Sequence, residues 1–165
     1  KKIEVLKVRL EEARKNIHYF LEKKEENLEK AIPVIVNSNK RKYGKKEILK
    51  DLIKKKNLKR DLFEKDRDLK EVKKEFLTLL EEDEKLQEKK EINEIYFDMI
   101  DIENDLTASK KYYNRIANKM EKEIQKFPRN LLKRLWKYEP SEKFDTKKEV
   151  DLEILKEEET SSPNN

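Results

Sequence analysis

The sequence predicts an all-α fold, a bundle of long helices, and three observations carry that prediction. Charged residues make up 48% of the 165 residues, against 1 Gly and 4 Pro to form turns, which is a composition typical of long helices. Apolar residues recur at alternating gaps of three and four, the spacing of one face of an α-helix. Because such a stripe must be buried against other helices, the helices should pack as a bundle.

The charge and the cysteine content limit the kinds of site and partner that the protein can have. With Cys 0, disulfides and thiolate metal sites are excluded, which is compatible with a reducing compartment. The net charge is +5, but residues 1–60 hold 20 Lys and Arg against 9 Asp and Glu, a net +11, and residues 146–165 hold 3 against 6. A basic N-terminal part is compatible with anionic lipid or nucleic acid as a partner. No apolar run is long enough to span a bilayer.

The first helix is predicted from about residue 2 to about residue 30. Its apolar seam consists of Leu6, Leu10, Ala13, Ile17, Phe20 and Leu28, with Leu21 beside it. His18, the single histidine, has no neighbours in the sequence that would complete a ligand set or a catalytic pair. We therefore expect a boundary or surface histidine.

Pro33 interrupts this pattern, because its ring is costly inside a helix but suits the first turn of a new one. The sequence therefore predicts a tight corner at residues 29–32 and a second helix over about residues 33–56. Its apolar positions are Ile32, Ile35, Val36, Ile48, Leu49, Leu52 and Ile53. Residues 37–39 and Gly44, the sole glycine, weaken the helix in its middle, where a kink is expected.

The second predicted helix is also the most basic stretch of the chain. Residues 40–60 contain 11 Lys and Arg against 2 Asp and Glu, so contact with phosphate or lipid headgroups is one interpretation. The candidates for that contact are Lys54, Lys55 and Lys56. The alternative is a solvated face of a lysine-rich protein. The sequence favours this alternative, because Tyr43 is the sole aromatic residue of the stretch that would stack on bases.

A third helix is predicted over about residues 58–86. Its seam consists of Leu58, Leu62, Leu69, Val72, Phe76, Leu79 and Leu80, with Lys65 at the gap. Four acidic residues stand at 81–84, but they lack the alternating spacing and the turn glycine of a cation-binding loop. We expect this acidic cluster to mark a solvated helix end or corner and not a metal site.

The fourth helix, over about residues 92–127, has the longest stripe. Its members are Ile92, Ile95, Met99, Ile102, Leu106, Tyr113, Ile116, Met120, Ile124 and Phe127, broken only at Ser109. The other face is Lys, Glu, Asp and Asn, which suits water. This helix is therefore predicted to be the central helix of the bundle.

After Pro128, a short helix over about residues 129–136 is predicted to fold back and cap one end of the bundle. Its apolar and aromatic residues are Leu131, Leu132, Leu135, Trp136 and Tyr138, and Phe144 follows. The alternative is an exposed binding surface, because Trp, Tyr and Arg are the usual anchors of protein interfaces. The candidates for that surface are Arg129, Leu132, Trp136 and Tyr138. We assign residues 1–145 to one helical domain and residues 146–165 to an acidic, disordered tail.

Two blocks of residues form a recognisable pattern. The C-terminal block is Tyr113-Asn114, Ile124, Phe127-Pro128, Asn130-Leu131, Leu135-Trp136, Tyr138, Pro140 and Phe144. The N-terminal block is Ala31-Ile32-Pro33, Ile35-Val36, Tyr43 and Glu47. Together they resemble the LemA family, over nearly the whole chain to about residue 145. The chain departs from that pattern at Val34, Lys46 and Lys137, and it has Asp83-Glu84 in place of the family's Tyr-Pro turn.

The resemblance implies an up-and-down bundle of four long helices. It also implies a single transmembrane helix ahead of residue 1, with the domain in the cytoplasm of a bacterial cell. Lys1 and Lys2 agree with a cytoplasmic flank, because positive residues stay on the inner side of a membrane. The chain has no initiator Met, and we expect it to be part of a longer, single-pass membrane protein. The family supplies no enzymatic activity to carry over.

The residues themselves predict neither a catalytic site nor a cofactor. The sequence lacks a nucleophile beside a base, a glycine-rich phosphate loop and the Glu-x-x-His pairs of a di-metal bundle. The first hypothesis is therefore a non-enzymatic, membrane-tethered scaffold or adaptor that binds a protein partner. The alternative is salt-sensitive binding of anionic lipid, or less favourably of nucleic acid, by the second helix. Long seams can also pair between chains as a coiled coil, but four helices of similar length can satisfy one another, so we expect a monomer.

Overall fold

The computed structural model describes residues 2–39, 61–135, 137, 140 and 142–147. These residues contain no strand and form five α-helices: α1 Lys2–Ser38, α2 Leu62–Glu82, α3 Glu84–Gln87, α4 Lys90–Gln125 and α5 Arg129–Leu135. The prediction of an all-α helical bundle is confirmed. Most of the predicted second helix, at residues 40–56, and most of the predicted acidic tail, at residues 148–165, lie outside the described residues.

The chain divides into two compact units. The terminal unit consists of Lys1–Glu22 and Glu103–Lys147, and the central unit contains Lys23–Ile102. Helices α1 and α4 both contribute to both units, because the boundary at Glu22 and Lys23 falls inside α1 and the boundary at Ile102 and Glu103 falls inside α4. Each unit has buried apolar residues of its own.

Helix α1 runs without interruption from Lys2 to Ser38 and includes Pro33. The predicted corner at residues 29–32, with a new helix starting at Pro33, is therefore wrong. A proline inside a helix removes one backbone hydrogen bond and costs about 3 kcal/mol. The helix nevertheless continues because Ala31 and Ile35, on either side of the proline, belong to the buried seam. Burial of that seam offsets the local cost, since one fully buried aliphatic side chain contributes about 1.5–3 kcal/mol.

Asp83 ends one helix and begins the next. Its backbone N–H donates to the Leu79 carbonyl (3.1 Å) and closes α2. Its carboxylate accepts a hydrogen bond from the Lys85 N–H (3.1 Å) and caps α3. Helix α2 is therefore shorter than the predicted helix over residues 58–86. The expectation of a solvated helix end at residues 81–84 is confirmed, because the three glutamates there are exposed.

The core of the central unit includes charged and polar side chains. Its buried apolar residues are Leu28, Ala31, Ile35, Phe63, Leu69, Val72, Phe76, Leu77, Leu79, Leu80, Leu86, Ile92, Ile95, Tyr96 and Met99. Buried with them are Lys24, Glu25, Asn27, Asp66, Lys73 and Gln87. A buried polar group is costly unless it finds a partner, so the structure must satisfy these side chains.

Two side-chain amides of this core bind backbone carbonyls of other elements. Asn27 of α1 donates to the Ile95 carbonyl of α4 (2.8 Å). Gln87 of α3 donates to the Leu80 carbonyl of α2. Each bond fastens one helix of the central unit to another, and each satisfies a donor that water cannot reach.

The core of the terminal unit follows the predicted stripes with small changes. Its buried apolar residues are Ile3, Leu6, Leu10, Ala13, Ile17 and Leu21 of α1, Leu106, Tyr113, Ile116, Ala117, Met120 and Ile124 of α4, and Phe144. Leu21 lies fully in the seam and Phe20 is half-buried beside it, which reverses their predicted places. Lys110 is buried next to the position at which the long stripe is broken.

His18 is a surface residue, as expected. Its Nε2 lies 2.8 Å from Oε1 of Glu22, one turn along α1, and both side chains are about half exposed to solvent. The pair is a short-range contact on the helix surface, and its contribution to stability is small.

Candidate functional site

The chain turns at Pro128 between α4 and α5. Helix α4 ends at Gln125, and the Pro128 carbonyl accepts hydrogen bonds from the N–H groups of Leu131 (2.9 Å) and Leu132 (3.1 Å), which open α5. Proline suits this place because it has no N–H to leave unsatisfied at a helix start. The predicted short helix is confirmed over Arg129–Leu135.

Two large apolar side chains are exposed where α5 begins. Phe127 is 40% exposed and Leu131 is 39% exposed, and Arg129 between them is exposed as well. We call these three residues the α5 surface. Leu132 and Leu135 are half-buried, so one side of the short helix is partly covered, as the predicted cap requires, and the other faces solvent. Phe127 does not belong to the buried stripe to which its spacing assigns it.

Two of the seven predicted interaction residues lie in the described part of the chain. Arg129 is exposed and Leu132 is half-buried. The others, Trp136, Tyr138, Lys54, Lys55 and Lys56, lie outside the described residues. Sequence reasoning missed the exposure of Phe127 and Leu131, although Pro128 signals that the long helix stops before the stripe is complete.

Asn114 clasps the chain that follows α5. Its side-chain amide donates to the Phe144 carbonyl (2.8 Å), and its side-chain oxygen accepts from the Phe144 N–H (2.9 Å). The buried Phe144 ring packs edge-on against the Tyr113 ring, with centroids 5.1 Å apart and planes at 80°. Lys143 adds an ion pair with Glu121 (3.1 Å). This arrangement, the Asn114 clasp, closes a loop that contains α5.

The hydroxyl of Tyr113 lies at the edge of this clasp, 3.5 Å from the Glu142 carbonyl, the outer limit of a hydrogen bond. Burial raises the pKa of Tyr113 above its ordinary value of 10.0. The charge and a hydrogen bond of Arg14 act against that shift, while the charges of Glu11 and Glu142 add to it. The neutral phenol is therefore the form that the folded protein favours.

Alkaline pH is expected to destabilise the wild-type protein more steeply than the Tyr113→Phe variant. Because the pKa of Tyr113 is raised by folding, the folded protein keeps this proton at a pH where the unfolded chain has released it. The associated stability is complete below the ordinary pKa of 10.0 and is lost as the pH rises through the folded-state pKa. Denaturant titrations between about pH 9 and about pH 11 measure the two slopes. Equal slopes would contradict a raised pKa at this position.

The described part of the chain contains neither a metal-binding cluster nor a helix that could cross a membrane. No group of three or more His, Cys, Asp or Glu within it is placed to hold a metal ion. None of the helices it contains is both long enough and apolar enough to cross a membrane. The α5 surface is the candidate site because it exposes two large apolar side chains on a loop that the Asn114 clasp closes.

Most of the chain matches the model of one protein family. The family model described as LemA family matches residues 12–154, a range that includes α5 and both sides of the Asn114 clasp. No match is found among curated proteins, and none is found among solved structures.

Proposed function

We propose that this chain, which belongs to the LemA family, is a non-enzymatic helical scaffold or adaptor domain that binds a protein partner from a membrane-tethered position. The family resemblance supports the tether, because it implies a transmembrane helix ahead of residue 1 and a domain in the cytoplasm. Fractionation of cells that make the full-length protein tests this part. Recovery of the protein without membranes would contradict the tether.

The exposed pair Phe127 and Leu131 is the observation that supports partner binding. Both side chains would lose contact with water under a partner, and burial of apolar surface is the main favourable contribution to most protein association. Arg129 between them can donate several hydrogen bonds to carboxylate or carbonyl groups of the partner. Arginine is also enriched among the few residues that carry most of the energy of an interface.

The Asn114 clasp supports α5 as a preformed docking element. The loop that contains α5 continues directly from α4 at one end and is hydrogen-bonded back to α4 through Phe144 at the other. A loop fixed at both ends loses less conformational freedom on binding, so more of the contact energy is realised as affinity. The partner that fits has an apolar pocket for the pair and acidic groups facing Arg129.

Replacing Phe127 and Leu131 together by alanine is expected to release the partner. Truncation of an interface anchor costs about 1–2 kcal/mol or more, so the double variant should bind about thirtyfold more weakly or worse. The measurement is quantitative mass spectrometry of the proteins that co-purify with the tagged full-length protein from solubilised membranes.

Val8 and Tyr19 provide the matched control for this experiment. Both lie on α1 and are about half exposed to solvent, so the Val8→Ala, Tyr19→Ala variant removes a similar amount of exposed apolar surface elsewhere. It should keep the same partner at the wild-type level, and both double variants should keep the wild-type circular dichroism spectrum. Equal retention or equal loss of the partner by the two variants would exclude the α5 surface as the docking site.

A further inference from the structure

A groove in the terminal unit runs between the start of α1 and the end of α4. Its lining residues are Lys2, Val5, Leu6 and Arg9 of α1 and Lys119, Lys122, Glu123 and Lys126 of α4, and its volume is about 610 Å³. On each helix these positions are one, three or four residues apart, so each helix contributes one stripe to the groove. We call this feature the basic groove. Its volume is within the range of sites that bind small molecules.

The charge of the basic groove is strongly positive. Five of its eight lining side chains are cations and one is a carboxylate, which gives a net charge of +4. The carboxylate, Glu123, accepts a hydrogen bond from Lys126 at 2.9 Å, and that bond holds the pKa of Glu123 below its ordinary value of 4.5. Collecting charges of one sign costs electrostatic energy, which a bound anion would relieve.

Two of the residues that line the basic groove, Val5 and Leu6, are apolar, and we call them its floor. Val5 is 51% exposed, and Leu6 beside it is buried. The lining also includes lysines, whose aliphatic stems can lie along apolar surface while their ammonium groups stay in water. The cationic side chains of the lining form the rim of the groove. A ligand that is complementary to both the cationic rim and the apolar floor has an anionic head and an apolar body. A bare phosphate would leave Val5 in water.

The lining also distinguishes between macromolecular anions. None of the described lining residues is aromatic, so the groove lacks the stacking platform on which proteins hold single-stranded nucleic acid. Acidic phospholipids combine phosphate with acyl chains, and a bilayer that contains them attracts clusters of lysine and arginine. The chemistry of the groove therefore fits a lipid better than a nucleic acid.

We propose that the basic groove binds an acidic phospholipid at a bilayer surface, with the cationic rim on headgroup phosphates and Val5 against the acyl chains. This site differs from the basic stretch at residues 40–60, which the sequence singles out. It also requires neither a transmembrane tether nor a protein partner, so it can be tested on the isolated 165-residue chain. Failure of the lipid test would leave the proposed adaptor role unaffected.

Co-sedimentation with vesicles tests the contribution of charge. The vesicles contain equal parts of phosphatidylglycerol and phosphatidylcholine, or phosphatidylcholine alone, at about 0.15 M salt. The groove variant carries Lys119→Gln, Lys122→Gln and Lys126→Gln. The control carries the same change at Lys7, Lys15 and Lys111, exposed lysines of the terminal unit outside the groove.

Because both variants lose the same net charge, only position distinguishes them. The groove variant should lose about tenfold or more in its partition onto the acidic vesicles, and the control less than about threefold. Equal losses by the two variants would overturn the proposal. Equal binding of the wild type to both kinds of vesicle would overturn it as well.

Two valines of α1 test the contribution of the apolar floor. The chain has Cys 0, so Val5→Cys and Val8→Cys each give a single attachment point for a polarity-sensitive fluorophore. Val5 lines the basic groove, whereas Val8, with a similar exposure of 59%, does not. Phosphatidylglycerol vesicles should shift the emission to the blue at position 5 and not at position 8.

Any other pattern of emission would overturn the proposal. A shift at both positions would indicate general adsorption of the chain, and no shift at position 5 would mean that acyl chains do not reach the floor. The same shift at position 5 with inorganic phosphate, or with a DNA duplex, would assign the groove to a free anion or to nucleic acid.

Discussion

Replacing Asp66 by alanine is expected to lower the free energy of unfolding by about 3–5 kcal/mol, the usual cost of removing one partner of a buried ion pair. Asp66 lies on the buried face of α2 and is 3% exposed. The core of the central unit buries two cations, Lys24 and Lys73, and two carboxylates, Glu25 and Asp66. Oδ2 of Asp66 lies 3.8 Å from Nζ of Lys70, one turn along α2. Removing the carboxylate breaks this ion pair and leaves the core with an excess of positive charge, which is costly where the effective dielectric constant is low.

Glu71→Ala provides the control for this prediction. Glu71 lies on the same helix and is exposed, so its loss should change the unfolding free energy by less than about 0.5 kcal/mol. Urea denaturation of both variants measures the difference, and an unchanged urea dependence would show that the unfolding transition itself is the same. Equal stabilities of the two variants would mean that the core does not depend on the Asp66 charge.

Replacing Asn114 by alanine is expected to open the Asn114 clasp while most of the fold persists. Both hydrogen bonds of this side chain go to the peptide groups of Phe144, at 2.8 and 2.9 Å. Their loss leaves a donor and an acceptor without these partners, at a combined cost of about 2–3 kcal/mol. Since every 1.4 kcal/mol changes an equilibrium about tenfold, the open form of the loop should become about 30- to 150-fold more populated relative to the closed form.

Hydrogen exchange at the Phe144 amide reports this opening directly. Its protection should fall by the same factor in Asn114→Ala, and protease should cut more readily near residues 142–147. Asn118→Ala is the control, because Asn118 is exposed one turn further along α4. Unchanged protection of the Phe144 amide would show that other contacts hold the loop, and the case for a preformed α5 would then weaken.

Sequence periodicity predicts most of the helices but not what fills the gaps in their seams. The predicted stripes skip from Leu21 to Leu28, are interrupted by Lys65 and break at Ser109. The structure fills these gaps with Lys24, Asp66 and Lys110, all of them buried. A search for apolar residues passes over charged side chains at seam positions. Their burial depends on groups from other elements, which only the fold brings together.

Sequence rules that consider only neighbouring residues give wrong or incomplete predictions where packing contacts determine the structure. The proline rule weighs only the backbone around Pro33, whereas the buried neighbours Ala31 and Ile35 keep α1 helical. Asn114 and Phe144 are 30 residues apart, and an amide that pairs with a peptide group leaves no periodic trace in the sequence. The family resemblance marks both residues without indicating that they touch.

The docking role of the α5 surface is tested most directly by site-specific crosslinking in cells. A photoreactive amino acid replaces Leu131 in the full-length protein, and mass spectrometry identifies its adducts in the membrane fraction. We expect one dominant protein adduct, lost when Phe127→Asp is added and absent when the photoreactive residue stands at Val8. Adducts with lipid alone, or the same set of proteins from both positions, would contradict a protein-docking site on α5.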